Sequence, residues 1–362
     1  MQRSGPPLRS GAFIRLPASP AMRRCTPAPY HRIDSVMLAT SAAPLSLALF
    51  LALPLTADAA GWLPAEGAGV CSVTDVDFSD ARHGFAAGAF NCGLVTSDGG
   101  LTWTEIDVVP QQGQSLLFGH AADADTFYAA RQSLYRSTDR GATWVELPAL
   151  GAAGGGSVFD MHFADAQHWV AIKGGQILVT ADGGDSWTLA FPAKFNINFD
   201  ELHAPDANVL YATGGIVRSS GELGTVLRSD DAGASWTLLT FTHGKINAAD
   251  FVSVDHGIVS TQSQGMFETL DGGQTWTHIG DTPGDIPLLD LRHRDTHWYA
   301  ASYGGCLYES FDLARTWQTG HCDPSERPLA TLSVRGGAVV AAGNDGLVLF
   351  EDRILHADFE SP

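Results

Sequence analysis

From residue 73 onward the chain alternates short apolar-rich runs with clusters of Asp, Gly, Ser and Thr. Val73-Thr-Asp-Val-Asp-Phe, Phe85-Ala-Ala-Gly-Ala and Gly93-Leu-Val-Thr form one such series, each run closed by a turn-forming cluster. Runs this short, bounded by turn residues, predict β-strands and hairpins rather than helices. The series then repeats: Val158-Phe-Asp-Met-His-Phe with Trp169-Val-Ala-Ile, Ile246-Asn-Ala-Ala-Asp-Phe with Gly257-Ile-Val-Ser, Leu288-Leu-Asp-Leu with Trp298-Tyr-Ala-Ala. Small residues dominate the second run of each series, which suits sheets that approach closely.

The polar clusters repeat more strictly than the apolar runs. Six times a Ser or Thr is followed by Asp two residues on, Gly or Ala at the fourth, a hydroxyl residue at the sixth and Trp at the seventh. The Asp–Trp pairs of these boxes are Asp98 and Trp103, Asp139 and Trp144, Asp182 and Trp187, Asp231 and Trp236, Asp271 and Trp276, Asp312 and Trp317. Successive Asp positions lie 41, 43, 49, 40 and 41 residues apart. A period near 40 with strand-like flanks is that of a four-stranded propeller blade. The box then forms the turn between third and fourth strands. Asp bonds turn N–H groups, Gly takes a positive φ, and Trp is the apolar anchor.

Leu329-Ala-Thr-Leu-Ser-Val, Ala338-Val-Val-Ala-Ala-Gly and Gly346-Leu-Val-Leu-Phe make a seventh, degenerate series, with Asp352 lying 40 residues after Asp312. The expected fold is therefore all-β: a single-domain, seven-bladed propeller of four-stranded antiparallel blades over residues 61–362. A closed ring also removes free sheet edges. Two segments compete to supply the last outer strand: Gly61-Trp62-Leu63-Pro64, favoured because Trp62 replaces the missing box Trp, and Arg353-Ile-Leu-His-Ala-Asp-Phe.

Residues 1–60 differ in kind. They are Pro- and Arg-rich, then apolar from Ala42 to Leu55, then carry Ala57-Asp-Ala59 as a cleavage signal. An apolar run of 14 residues is too short to span a bilayer and suits a secretory signal, with Arg23 and Arg24 as its basic start if translation begins at Met22. A periplasmic or secreted protein is expected, not inserted in the membrane after cleavage. Of 21 basic and 40 acidic residues, six and two lie in the leader, leaving 15 and 38 and a formal charge of −23. That surface repels nucleic acid and anionic lipid. Cys71, Cys92, Cys306 and Cys322 remain after processing. Their strand positions predict Cys71–Cys92 and Cys306–Cys322 disulfides, in keeping with an oxidising compartment.

The boxes resemble the Asp-box repeat of bacterial neuraminidases. His83-Gly-Phe-Ala-Ala-Gly, followed by Gly93-Leu-Val-Thr-Ser-Asp-Gly-Gly-Leu-Thr-Trp103, is more similar to the photosystem II assembly/stability factor family and its relatives in non-photosynthetic bacteria. The resemblance covers residues 61–357. It implies a non-catalytic lumenal or periplasmic propeller that assists assembly of a membrane complex, so a protein partner is expected, such as a membrane-complex subunit. Members of that family carry an Arg-rich binding patch. This chain departs from them in having three Lys after residue 60 and a strongly acidic balance.

Candidate sites follow from where the blades vary. The 49-residue interval marks an insertion near Gly214–Gly224, on a rim that also holds Phe90, Arg131, Lys173, Gln262 and Tyr303 after second strands. Lys194, Asn196, Asn198 and His243 stand in connections between blades, and Arg218 stands in the insertion. Such loops carry function when a rigid scaffold holds them. Asp75, Asp160, Asp250 and Asp290 recur on first strands and line the channel or bond neighbouring N–H groups. His83, His168, His256 and His297 sit at the turns before second strands, where local turn bonding is expected. No metal, cofactor or catalytic residue is assigned, and a monomer is expected. A glycoside hydrolase working through channel carboxylates is the alternative, since sialidases share the box; a glycan-binding module is the third reading.

Overall fold

The computed structural model describes residues 61–351 apart from 70, 109–114, 195, 219–220 and 336. The leader, Asp352 and the segment from Arg353 lie outside the described residues. Among the described residues no helix is long and apolar enough to cross a membrane.

Seven four-stranded antiparallel sheets make up the fold. Their first strands are Val73–Phe78, Phe118–Ala121, Val158–Phe163, Ile197–His203, Ile246–Phe251, Leu288–Arg294 and Leu329–Ser333, here defining blades 1 to 7. Each first strand packs against the next, and that of blade 7 against that of blade 1, so the blades close a ring. Small residues on the second strands permit this approach: Ala86, Ala87, Ala129, Ala300, Ala301, Ala341 and Ala342 are all essentially inaccessible. Aromatic rings fill the wider gaps. Phe85 of blade 1 stacks on Phe127 of blade 2 with centroids 5.2 Å apart, and Tyr211 of blade 4 on Phe251 of blade 5 at 3.8 Å.

The last blade takes its outer strand from the N-terminal side. Trp62–Pro64 pairs antiparallel with Val348–Glu351, Trp62 opposite Glu351 and Pro64 opposite Leu349. Proline is tolerated because this is an outermost strand, where a missing donor leaves no ladder bond broken. The indole of Trp62 does not reproduce a box Trp. It turns between blades 6 and 7, edge-on to Tyr299 at 6.1 Å, and donates its N–H to Glu309 Oε1 at 2.6 Å.

The boxes share one Asp-centred turn, with the indole bond to the turn carbonyl made by Trp103, Trp144, Trp236 and Trp276 but not by Trp187 or Trp317. In blade 1 the Thr96 hydroxyl donates to Asp98 Oδ1 at 2.8 Å and accepts from Gly100 N–H at 3.1 Å. Asp98 also accepts the Thr102 amide at 3.0 Å and hydroxyl at 2.6 Å, and Trp103 donates to the Gly100 carbonyl at 3.0 Å. Gly100 has φ +92°, and the sixth box holds Leu313 and Ala314 at φ 58° and 60°, costing strain there that Gly avoids. The anchoring is weaker than six buried indoles would give: Trp103 is buried, the other five half-buried.

Cys71–Cys92 and Cys306–Cys322 are bonded, with Cα–Cα distances of 5.9 and 4.0 Å. Cys306 and Cys322 face each other on the third and fourth strands of blade 6. The first bridge ties blade 1 and the second blade 6, so the two flank blade 7 on either side. By loop entropy a bridge closing 16 residues contributes about 3 kcal/mol. The double variant Cys306→Ser/Cys322→Ser should lose about that much unfolding free energy in a denaturant titration; an unchanged midpoint would show the hairpin needs no staple.

Candidate functional site: the channel and the open rim

Because six of the seven first strands share one bulged register, their side chains form rings around the axis. One ring holds Asp75, Asp160, Glu201, Ala248, Asp290 and Thr331, each two residues past the strand's bulge partner. Two residues further on, a second ring holds Asp77, His162, His203, Asp250, Arg292 and Ser333. A cavity of about 440 Å³ opens between them toward the end of the ring that carries the boxes, lined by residues of all seven blades.

The carboxylates are committed to the next blade. In the first ring Asp75 Oδ2 accepts Gly119 N–H at 2.9 Å, Asp160 Oδ2 accepts Leu202 N–H at 2.6 Å, and Asp290 Oδ2 accepts Leu332 N–H at 2.7 Å. In the second, Asp77 takes Ala121 N–H at 3.2 Å and Asp250 takes His293 N–H at 2.8 Å. Each bond crosses a blade boundary, so these acids stitch inner strands together. Of the four acids expected to line the channel or bond neighbouring strands, Asp75, Asp160 and Asp250 do both, and Asp290 bonds the next blade.

Burial sets their protonation. It pushes Asp160 up to about 6 despite the Leu202 N–H, and it raises Asp75 well above the carboxylate range. It also raises Glu201 and Asp290, although Arg292 opposes the shift in both. Burial works against the charge of Arg292 too, but Asp290 at 3.0 Å and Glu201 at 3.5 Å more than compensate and hold its proton firmly. For Asp77 and Asp250 burial is outweighed by His120 at 2.6 Å and His293 at 2.7 Å, and both are lowered. Burial drives His162 down to about 4 and His203 to about 3, leaving them neutral. Glu201 and Arg292 were not singled out from sequence. Aligning first strands by their bulges would have found them, since Glu201 stands level with Asp160 and Arg292 with Asp250.

The rim candidates lie at the opposite end, where second strands turn into third strands. The insertion is a long hairpin, Leu210–Arg218 against Gly221–Ser229, each arm nine residues where most blades use four or five. Its arm is bonded to neighbouring connections: Val217 N–H to Asn196 O at 2.8 Å and Gly224 N–H to His243 O at 2.9 Å. Gln262 N–H bonds Lys245 O at 2.8 Å, and Lys245 pairs with Asp200 at 3.2 Å. The structure thus gathers Asn196, Arg218, His243 and Gln262 around blade 4, with exposed Lys194 lying over Phe191 at 4.6 Å. Asn198 is exposed at the start of the blade 4 first strand, opposite Gly215. His243 is half-buried and stacks on Phe267 at 4.0 Å. Arg131, on blade 2, donates to Ser115 O at 2.7 Å, and Tyr303, on blade 6, is 64% exposed; neither joins that group. Phe90 is 79% exposed on blade 1. Lys173 departs from its expected place on the surface. It is 1% exposed, and its ammonium donates to the Leu150 and Gly151 carbonyls at 2.6 and 3.3 Å, satisfying the end of the short helix Pro148–Ala152.

Two of the four turn histidines behave as expected: His83 pairs with Asp80 at 2.9 Å and His168 with Asp165 at 2.8 Å, within their own turns. The other two do not. His256 reaches across the sheet to Glu268 at 3.0 Å and His297 to Glu309 at 3.0 Å, because in both the third strand carries a Glu opposite the residue two past the histidine.

Ring, channel and register define a seven-bladed β-propeller with an inner lining of inter-blade carboxylates. Solved structures share the architecture. YCF48 bound to a D1 peptide superposes with a TM-score of 0.67 at 18% identity, over 80% of this chain and 96% of that one. YCF48 from Cyanidioschyzon merolae gives 0.65 at 20% identity, over 81% and 99%. The WD40 propeller domain of Doa1 gives 0.61 at 12%. At these identities the likeness is one of fold. A xyloglucanase from Paenibacillus sp. is 29% identical over 155 residues, 38% of this chain and 14% of that protein, so this chain spans a small part of its length. No family model matches the chain.

The Asp160 shift has a defined sign. A carboxyl raised to about 6 in the fold, against 3.8 for the free side chain, stabilises below about pH 4 and loses that contribution as pH rises through 6. Asp160→Asn keeps an oxygen for Leu202 N–H and cannot ionise. Its stability relative to wild type should rise between pH 4 and pH 8, read as the pH dependence of the urea midpoint; a pH-independent difference would mean Asp160 is ionised without penalty.

Proposed function

We propose that this chain is an extracytoplasmic, non-catalytic propeller, monomeric, that binds a protein segment on the rim opposite the boxes and serves as an assembly or scaffold factor for a membrane complex. The observation that carries this reading is the commitment of the channel acids. Asp75, Asp160 and Asp290 each spend an oxygen on the backbone of the next blade, whereas a hydrolase needs one free acid and one free base or nucleophile facing its substrate. The variable feature is instead the blade 4 hairpin, which puts Arg218 beside the connection that carries Lys194, on a molecule otherwise dominated by acids. A peptide with acidic and apolar residues fits that rim better than a basic one. The resemblance to photosystem II assembly factors, and the fold shared with a YCF48 solved with a D1 peptide, support the same reading. Two disulfides accord with an oxidising compartment. Glycoside hydrolysis has one point in its favour, the partial likeness to a xyloglucanase.

The test pairs capture with activity. Wild type and the Lys194→Glu/Arg218→Glu variant are cross-linked in an envelope extract, and both are assayed on a glycoside panel that includes xyloglucan. The expected outcome is a discrete partner that the double variant loses by tenfold or more, with no hydrolysis. Hydrolysis that disappears in Asp160→Asn or Glu201→Gln would replace this reading with the enzymatic one.

A further inference from the structure

Where blade 7 should carry its box, it carries an acid aimed at blade 6. In the other blades a Ser or Thr ends the third strand and starts the box: Thr96 opposite Gly84, Ser310 opposite Trp298. Glu351 holds that register in blade 7, its N–H bonded to Val339 O at 3.0 Å. Its carboxylate reaches the pair formed by His297 and Glu309. Nε2 or Nδ1 of His297 and one carboxylate oxygen each of Glu309 and Glu351 lie within 4.8 Å of one another, and all three residues are buried. In blade 5 the matching pair, His256 and Glu268, meets the cation Arg315 at 2.6 Å instead. Among the described residues, only at the seam between blades 6 and 7 does a second acid converge on such a histidine–glutamate pair.

We propose that His297, Glu309 and Glu351 are the ligands of a divalent transition-metal ion of the Zn²⁺ type that rivets blade 6 to the closing blade. One imidazole with two carboxylates is a donor set of the kind Zn²⁺ takes, with water completing four-coordination. Outer partners fix each ligand. His297 Nδ1 meets Tyr299 OH at 2.9 Å, which turns Nε2 toward Glu309. Glu309 Oε1 accepts the Trp62 indole N–H at 2.6 Å, leaving Oε2 on the histidine side. Glu351 Oε2 accepts Arg294 at 3.0 Å, leaving Oε1 toward Tyr299. This is the outer-shell pattern that orients metal ligands and sets the histidine tautomer. Space has been made for it as well: a Cβ on Gly320 would stand 2.5 Å from Glu309 Oε1 and 3.0 Å from Trp62 Nε1. Access is past Arg294, one-third exposed, and Phe311, which stacks on His297 at 4.1 Å.

The test titrates the chelator-stripped full chain with ZnCl₂ by calorimetry. Expected are one ion per chain and a raised thermal midpoint. Glu351→Gln and His297→Gln should abolish the site, and Trp62→Phe should weaken it about 10–100-fold. His83→Ala/His168→Ala, which removes the two exposed turn pairs, should leave it intact. Should the ligand variants fail to fold, Co²⁺-loaded wild type decides: the Trp62 indole proton should show a large paramagnetic shift. No binding, binding equal in the ligand variants, loss in the His83/His168 variant, or an unshifted Trp62 signal overturns the proposal.

Discussion

A ring of sheets holds only if its last sheet finds a fourth strand. Here that strand is Trp62–Pro64, three residues paired with Val348–Glu351. The ladder is short, and side chains reinforce it. Trp62 lies against Tyr299 and bonds Glu309, so the closing strand is tied to blade 6 as well as to its own sheet. Disulfides brace the blades on both flanks. The seam is therefore reinforced by polar and aromatic side chains of its own, while the other blade boundaries combine small and aromatic apolar contacts with the inner carboxylate bonds.

The channel uses a second device. A carboxylate on one inner strand accepts an N–H from the next at Asp75, Asp77, Asp160, Asp250 and Asp290, while Glu201 pairs with Arg292 instead. Inner strands near a ring axis crowd their backbones, and an acid reaching sideways satisfies an amide that no ladder partner can reach. The consequence is electrostatic: burial raises Asp75, Asp160 and Asp290, and Arg292 is held beside Asp290 and Glu201. Raised acids in a cavity resemble catalytic groups. Their backbone bonds give them a structural explanation first.

Much of this was legible in the sequence because its carriers are local. The boxes are closed by bonds spanning two to four residues, so spacing alone specified turn, strand order and blade count, and hairpin positions specified both disulfides. What escaped depends on distance across the ring. Arg292 and Glu201 acquire meaning only when first strands are aligned by bulge and curled around an axis. Lys173 looks like a surface residue until a helix 22 residues earlier places its carbonyls there. His297 read as a turn residue because its partner Glu309 lies on another strand, and Glu351 on another blade. Trp62 was correctly placed on the closing strand, yet it answers Glu309 rather than a turn glycine.

The placement of that closing strand has a bearing on biosynthesis. Trp62–Pro64 leaves the ribosome before any blade is made, and its partner Val348–Glu351 leaves after all the others. Until Val348–Glu351 emerges, an indole-bearing segment and an open sheet edge both lack their mates, the kind of exposed surface through which nascent chains associate wrongly. Ring closure thus has one late docking event between strands far apart in sequence, and an insertion beside Trp62 would sit at that event.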